Sequence, residues 1–260
     1  MELHEFADRI LTSPTIADKL AAFSPPLTDD EPGPSRRPAL PARPAALVFC
    51  GRRESPPMPH PDTFADPQRR AVAHHIMANH ELQALEVMAF VLLAFPDAPR
   101  EFRCGMARIM ADEQRHTRLH LERLESLGMQ FGDLPVNGYF WSKAQQFQSL
   151  LDYLAGLPLT FESCNLDHTL EFEGLFAQAG DVRSAQVMRA IHRDEIQHVA
   201  FGLHWLRALK PPELTDWEAY SRHLQWPLRP EKSRGHTLHR APRLAAGMSP
   251  EFIQQLEELP

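Results

Sequence analysis

The chain has 260 residues, 43% of them hydrophobic, which suffices to bury a core in one large domain or two small ones and excludes a disordered protein. A formal net charge of -7 gives no electrostatic footprint for a nucleic-acid partner. Three widely spaced cysteines, Cys50, Cys104 and Cys164, with no Cys-x-x-Cys pair, argue against a disulfide framework, a zinc ribbon or a rubredoxin-type iron site and suit a reducing cytoplasm. The N-terminus has no basic stretch leading into an apolar run, and no 18-residue apolar run is evident, so the expectation is a soluble, unexported, cytoplasmic protein with no membrane partner.

Residues 1–23 read as one or two short amphipathic helices docked on the main body, with Ser13 as N-cap and Pro14 at the first helical position before Ile16, Leu20 and Phe23. Residues 25–61 hold eleven of the 24 prolines, which forbids a regular helix or a central strand. This segment is either a linker or an extended wrap, and the apolar run Leu47-Val48-Phe49-Cys50 favours the wrap.

Beyond Pro67 the apolar period becomes about 3.6, and Val72, Ile76, Leu82, Leu85, Met88, Leu92 and Leu93 mark a long helix ending at Phe95-Pro96-Asp97-Ala98-Pro99. A second helix follows Pro99 and stops at Gly128, with Phe102, Met106, Ile109, Met110, Leu119 and Leu124 on its buried side. Residues 129–140 form a crossover punctuated by Gly and Pro. A further helical stretch from Trp141 leads to Leu157-Pro158, a third main helix spans 159–178, and a fourth runs from Gly180-Asp181 to Leu209, where Pro211-Pro212 stops it. The tail holds a short helical piece, a turn around Trp226-Pro227 and a last helix opening at Ser249-Pro250. With no alternating strand pattern the fold class is all-α, divided as 1–66, 67–209 and 210–260.

The chemistry lies in an internal repeat: Asp112-Glu113-Gln114-Arg115-His116 returns 82 residues later as Asp194-Glu195-Ile196-Gln197-His198. A Glu and a His at i and i+3 share one helical face, so each pair can grip one metal while its carboxylate reaches a second. Alone, such a pair is commonly a surface ion pair. Here Glu113 and His116 continue the stripe of Met106, Ile109 and Met110, and Glu195 and His198 continue that of Met188 and Ile191 towards Gly202 and Trp205. Charges in an apolar stripe need partners or metals.

Antiparallel geometry says where two more glutamates would lie, because residues equidistant from a hairpin turn share a height. Reflection of Glu113 about Asp97 gives Glu81, and reflection of Glu195 about Ala179 falls at Glu162 or its neighbour; the separations are 32 and 33 residues. Glu81 sits in the stripe of Met77, Leu85, Met88 and Leu92, and Glu162 sits between Leu159 and Leu166. Glu86, Glu171 and Glu173 are rival carboxylates, and His120, one turn beyond His116, is the nearest rival imidazole. Asp112 and Asp194, placed identically in the two repeats, are expected to accept a hydrogen bond from the distal ring nitrogen of the opposite histidine. Four carboxylates and two imidazoles make a hard, oxygen-rich set for two divalent ions, iron or manganese rather than zinc or calcium.

The order Glu81, Glu113-x-x-His116, Glu162, Glu195-x-x-His198 resembles the ferritin-like diiron-carboxylate superfamily of rubrerythrins, ribonucleotide reductase small subunits and bacterial monooxygenases, including the tRNA-hydroxylating one. More closely, His80-Glu81-Leu82-Gln83-Ala84-Leu85-Glu86, Arg193-Asp194-Glu195-Ile196-Gln197-His198-Val199-Ala200 and Trp226-Pro227-Leu228-Arg229-Pro230-Glu231-Lys232 resemble the bacterial family known as domain of unknown function 455. The resemblance covers the chain from about residue 10 onward and departs from the family pattern at Asn79-His80. It implies a ferritin-like antiparallel four-helix bundle, six ligands and two iron ions, with an iron-manganese pair as the variant.

The expected function is an oxygen-activating oxidase or monooxygenase that takes dioxygen, an electron donor and a small organic or modified-nucleoside substrate. The competing expectation is a metal-handling ferroxidase or peroxide scavenger with no organic substrate. A third is a bundle whose acidic and His residues make only ion pairs. The sequence carries no statement of oligomeric state.

Overall fold

The structure, a computed structural model, describes residues 1–22 and 27–259; the expected apolar position Phe23 and the prolines Pro25 and Pro26 lie outside the described residues. Helices dominate, in agreement with the all-α expectation, and the chain divides into two compact units, Met1–Gln145 and Gln146–Pro260.

The first unit holds α1 (Leu3–Thr12), α2 (Ile16–Leu20), the long pair α3 (Pro67–Ala94) and α4 (Arg100–Ser126), and α5 (Tyr139–Ala144). Local chemistry sets these ends. Asp66 accepts from the N–H of Gln68 at 2.9 Å with Pro67 in the first turn of α3, and Gly128 ends α4 in a left-handed conformation at φ +80°. α2 differs from expectation: its cap is Thr15, whose hydroxyl accepts from the N–H of Asp18 at 3.2 Å. Ser13 is already used by α1, where its N–H closes the last turn on the carbonyl of Arg9.

The Pro-rich segment wraps this unit. The N–H of Ala42 donates to the Leu11 carbonyl at 2.7 Å, and that of Arg36 donates to the Leu93 carbonyl at 2.9 Å. Leu47 is buried as expected, but Val48 is exposed. A two-residue strand β1 (Phe49–Cys50) pairs in parallel with β2 (Val136–Asn137), a small pairing that the absence of alternation did not foretell.

Buried ion pairs tie the wrap down. Glu86 on α3 receives Lys19 at 3.0 Å and Arg43 at 2.7 Å, and Arg103 on α4 receives Asp29 at 2.9 Å. Burial holds the Lys19 ammonium below its ordinary pKa, with Glu86 opposing the shift only in part. By length and mean hydropathy an 18-residue stretch of α3 could cross a membrane, although Asn79, His80, Glu81, Gln83 and Glu86 interrupt its apolar residues. However, 89% of that stretch is buried inside the protein, as in a core helix.

In the second unit one continuous helix begins much earlier than residue 159. It comprises α6 (Leu150–Gly156), a π-helical segment (Leu157–Glu162) and α7 (Ser163–Gln178), and is followed by α8 (Val182–Leu209). Ser149 and Asp152 form a capping box at its start. Pro158 was expected to break the helix because it has no N–H to donate; the wide π turn absorbs it instead, and the Thr160 hydroxyl donates to the Ala155 carbonyl at 2.7 Å. Gly202 on α8 makes room: a Cβ there would lie 2.4 Å from Cβ of Pro158. The stretch expected from Trp141 is thus two separate helices, α5 and α6.

α9 (Asp216–His223) and α11 (Pro250–Glu257) build the remaining core of this unit around Tyr220 and Phe252 with Val199, Leu203 and Leu206 of α8, and α10 (Arg240–Ala245) lies between them in sequence. The last helix opens at Ser249-Pro250 as expected. A buried pair fastens the tail to α7, since Arg243 donates to Asp167 at 2.7 and 2.8 Å and also to the Ser163 and Ser233 carbonyls. Burial pushes the Asp167 carboxyl up, but the Arg243 hydrogen bonds and charge, with the N–H groups of Gly235 and His239, hold it below its ordinary value.

Arg243→Leu should cost about 3–5 kcal/mol of stability at neutral pH, because it strands a buried carboxylate. The contribution of a carboxyl with a lowered folded-state pKa is complete above its unfolded value and is lost as pH falls through the folded one. The gap between wild type and variant in urea midpoint should therefore hold at neutral pH and narrow below about pH 4. A gap that persists unchanged at pH 2.5 would assign the loss to packing alone.

Candidate metal centre

Each unit buries part of the expected ligand set on its own pair of long helices. In the first, Glu81 on α3 and Glu113 and His116 on α4 are buried, and one ligand atom of each lies within 4.8 Å of the others. Glu113 Oε2 and His116 Nδ1 are 3.8 Å apart. In the second unit Glu162, at the end of the π segment, and His198 on α8 offer atoms within 4.8 Å, and Glu195 Oε2 lies 3.7 Å from His198 Nδ1. The two Glu-x-x-His turns are built alike because three residues advance the helix by nearly one turn, so the side chains stack on the inward stripe. That stripe is as expected: Met106, Ile109, Met110, Met188, Ile191 and Gly202 are buried, and only Trp205 is partly exposed.

These separations suit two ligands sharing one ion better than a hydrogen-bonded ion pair. A charge-assisted hydrogen bond brings nitrogen and oxygen to about 2.7–2.9 Å, as at Glu86–Arg43. Two atoms each about 2.0–2.2 Å from one ion can stand as much as about 4.4 Å apart. The donor set, carboxylate oxygen with imidazole nitrogen in a site lined by Met and Ile side chains, therefore fits a hard or borderline divalent ion.

The rival carboxylates are otherwise engaged. Glu86 is held by Lys19 and Arg43, Glu171 accepts from the N–H of Thr237 at 3.1 Å, and Glu173 pairs with Arg189. Asp112 is partly exposed and accepts from Arg115 at 3.0 Å; Asp194 is half-buried.

Asn165 escaped the sequence reading, and His120, which the sequence offered only as a rival, has His74 beside it. Asn165, one turn beyond Glu162, donates to Glu195 Oε1 at 3.0 Å. His120 is fully buried with Nε2 3.6 Å from Glu81 Oε1, and its Nδ1 lies 2.9 Å from Nδ1 of His74. Burial, with His74, His116 and His80 nearby, pushes His120 well below its ordinary pKa, so it is the neutral imidazole that can ligate. The available signal was spacing: His74 precedes Glu81 by seven residues and His120 follows Glu113 by seven, two helical turns in each case. His80 stacks on Phe140 at 4.9 Å, and Trp141 is buried with its ring N–H on the Ala39 carbonyl, so these two aromatics of the crossover pack the first unit.

The profile of the family described as "Protein of unknown function (DUF455)" matches residues 4–254. A Haemophilus influenzae protein described as uncharacterized is 30% identical over 155 residues, which cover 56% of this chain and 54% of that protein, about half its length. No solved structure matches.

Glu81→Ala should abolish metal retention while keeping the helical spectrum and urea midpoint. Glu86→Ala should retain metal but lose about 3–5 kcal/mol of stability, because Lys19 and Arg43 stay buried. Elemental analysis beside urea melts reads both; the reverse assignment would mean that the register is wrong by more than a turn.

Proposed function

The chain belongs to the DUF455 family, whose description assigns no reaction, and from the chemistry of its buried carboxylates and imidazoles we propose that it is a ferritin-like diiron-carboxylate oxidoreductase. In this reading α3, α4, α7 and α8 act as the helices of an antiparallel four-helix bundle. Glu81, Glu113, His116, Glu162, Glu195 and His198 hold two iron ions, or an iron-manganese pair. The observation that carries it is duplication: each pair of long helices buries a Glu-x-x-His turn with its oxygen and nitrogen 3.7–3.8 Å apart, and a further glutamate beside it. An ion-pair bundle has no need of the same spacing twice.

When bound, iron would supply redox chemistry with dioxygen, oxidising or hydroxylating a small organic or modified-nucleoside substrate with electrons from an external donor. The chain's own residues bind, orient and exclude water. The four glutamates balance the charge of two divalent ions, and the buried Met77, Leu85, Met110, Leu159 and Leu166, each within about one turn of a ligand, keep the surroundings dry. Asn165 fixes one oxygen of Glu195 so that the other is presented inward. In this reading Asp112 and Asp194 would each accept from the distal ring nitrogen of a ligating histidine.

Anaerobic loading with ferrous ion should give about two irons per chain, and admitting oxygen in the presence of a reductant and cell-extract metabolites should yield a product that has gained oxygen or lost two hydrogens. Zero iron in a folded protein would sink the centre; unlimited iron uptake into a hollow assembly, with no metabolite consumed, would favour storage. Asp112→Asn and Asp194→Asn should each lower iron affinity or oxygen consumption about 10- to 100-fold, and unchanged values in both would reduce these residues to surface charges.

A further inference from the structure

The two halves of the repeat are alike up to the histidine and then diverge. Seven residues beyond Glu113 stands His120, and seven beyond Glu195 stands Gly202. Gly202 is committed to packing, since a side chain there would strike Pro158 of the π turn. His120 faces no such neighbour. It is fully buried on the stripe that carries Glu113 and His116, and its Nε2 makes no hydrogen bond among the described residues.

That nitrogen faces Glu81 Oε1 at 3.6 Å, too far for a hydrogen bond and within the span of two ligands on one ion. The other ring nitrogen sets the tautomer. The Nδ1 atoms of His120 and His74 are 2.9 Å apart, so one of them carries the shared proton. With the proton on His120, its Nε2 has a lone pair aimed at a carboxylate oxygen, an arrangement that repels unless a cation lies between them.

Resting on the metal-centre reading, we infer that His120 is a third imidazole ligand, bound through Nε2 and fixed by donating its Nδ1–H to His74. The two metal positions are then unequal. The first unit would then offer two imidazoles with Glu81 and Glu113, and the second one imidazole with Glu162 and Glu195. An extra nitrogen donor favours metals later in the divalent series, so the first position fills before the second and discriminates more strongly against manganese.

The test uses the full-length protein loaded anaerobically with cobalt(II), read by proton NMR. Each ligating imidazole contributes a strongly shifted, solvent-exchangeable ring N–H signal, so His116, His198 and His120 should each give one. His120→Gln, with its helical spectrum intact, should lose one of these signals and weaken the tighter of two cobalt-binding steps by at least about 10-fold, leaving the other step in place. Should the variant not fold, the wild-type spectrum decides alone, because signals from only two histidines would overturn the assignment. Bound cobalt with His120→Gln unchanged in both readouts would do the same while leaving the metal centre standing. No cobalt uptake by folded wild type would instead remove the metal-centre reading on which the inference rests.

Discussion

A carboxylate or ammonium taken out of water must meet an opposite charge or an ion, and the architecture of this protein follows from how that demand is met at each place. At Glu86 the answer is two cations, Lys19 from α2 and Arg43 from the Pro-rich wrap. At Asp167 it is Arg243 from the C-terminal tail. At Glu81, Glu113 and Glu195 the facing groups are imidazoles at 3.6–3.8 Å, a spacing that suits a shared ion better than a hydrogen bond. The first kind of site holds extensions on helices; the second is the candidate centre.

This division gives the segments outside the long helices a physical purpose. Arg103 grips Asp29 while donating to the Leu92 carbonyl at 2.8 Å, so the start of the wrap is tied to the end of the α3–α4 hairpin. Arg243 likewise bonds Asp167 together with two backbone carbonyls, so the tail and α7 order one another. These ties restrain the helices that carry the candidate ligand side chains.

The π turn at Leu157–Glu162 is where the two hairpins part company. A proline inside a helix leaves one carbonyl without its donor, and the widened turn takes up the strain at the cost of crowding α8, which answers with Gly202. The helix thus delivers Glu162 from an irregular turn, whereas Glu81 comes from regular α3. The position that Gly202 occupies is the one His120 fills on α4, so a packing requirement in one unit and an imidazole in the other stand at the same place in the repeat.

Much of this was legible in the amino acids. Period and punctuation placed α3, α4 and α8 nearly to the residue, because Asp66-Pro67, Gly128 and Asp181 cap locally and need no tertiary partner. The repeat of Glu-x-x-His and the reflection across the turns picked out Glu81 over Glu86, since helical phase and hairpin height are properties of the chain alone. Helix boundaries at α2 and α6 were missed where one residue served two neighbours or a proline was absorbed by a facing glycine. The engagement of Glu86 by Lys19 and Arg43, the hold of Asn165 on Glu195 and the approach of His120 to Glu81 were decided only by tertiary structure. Each joins residues far apart in sequence, or on different helices, whose meeting depends on packing distance, and no local pattern encodes that distance.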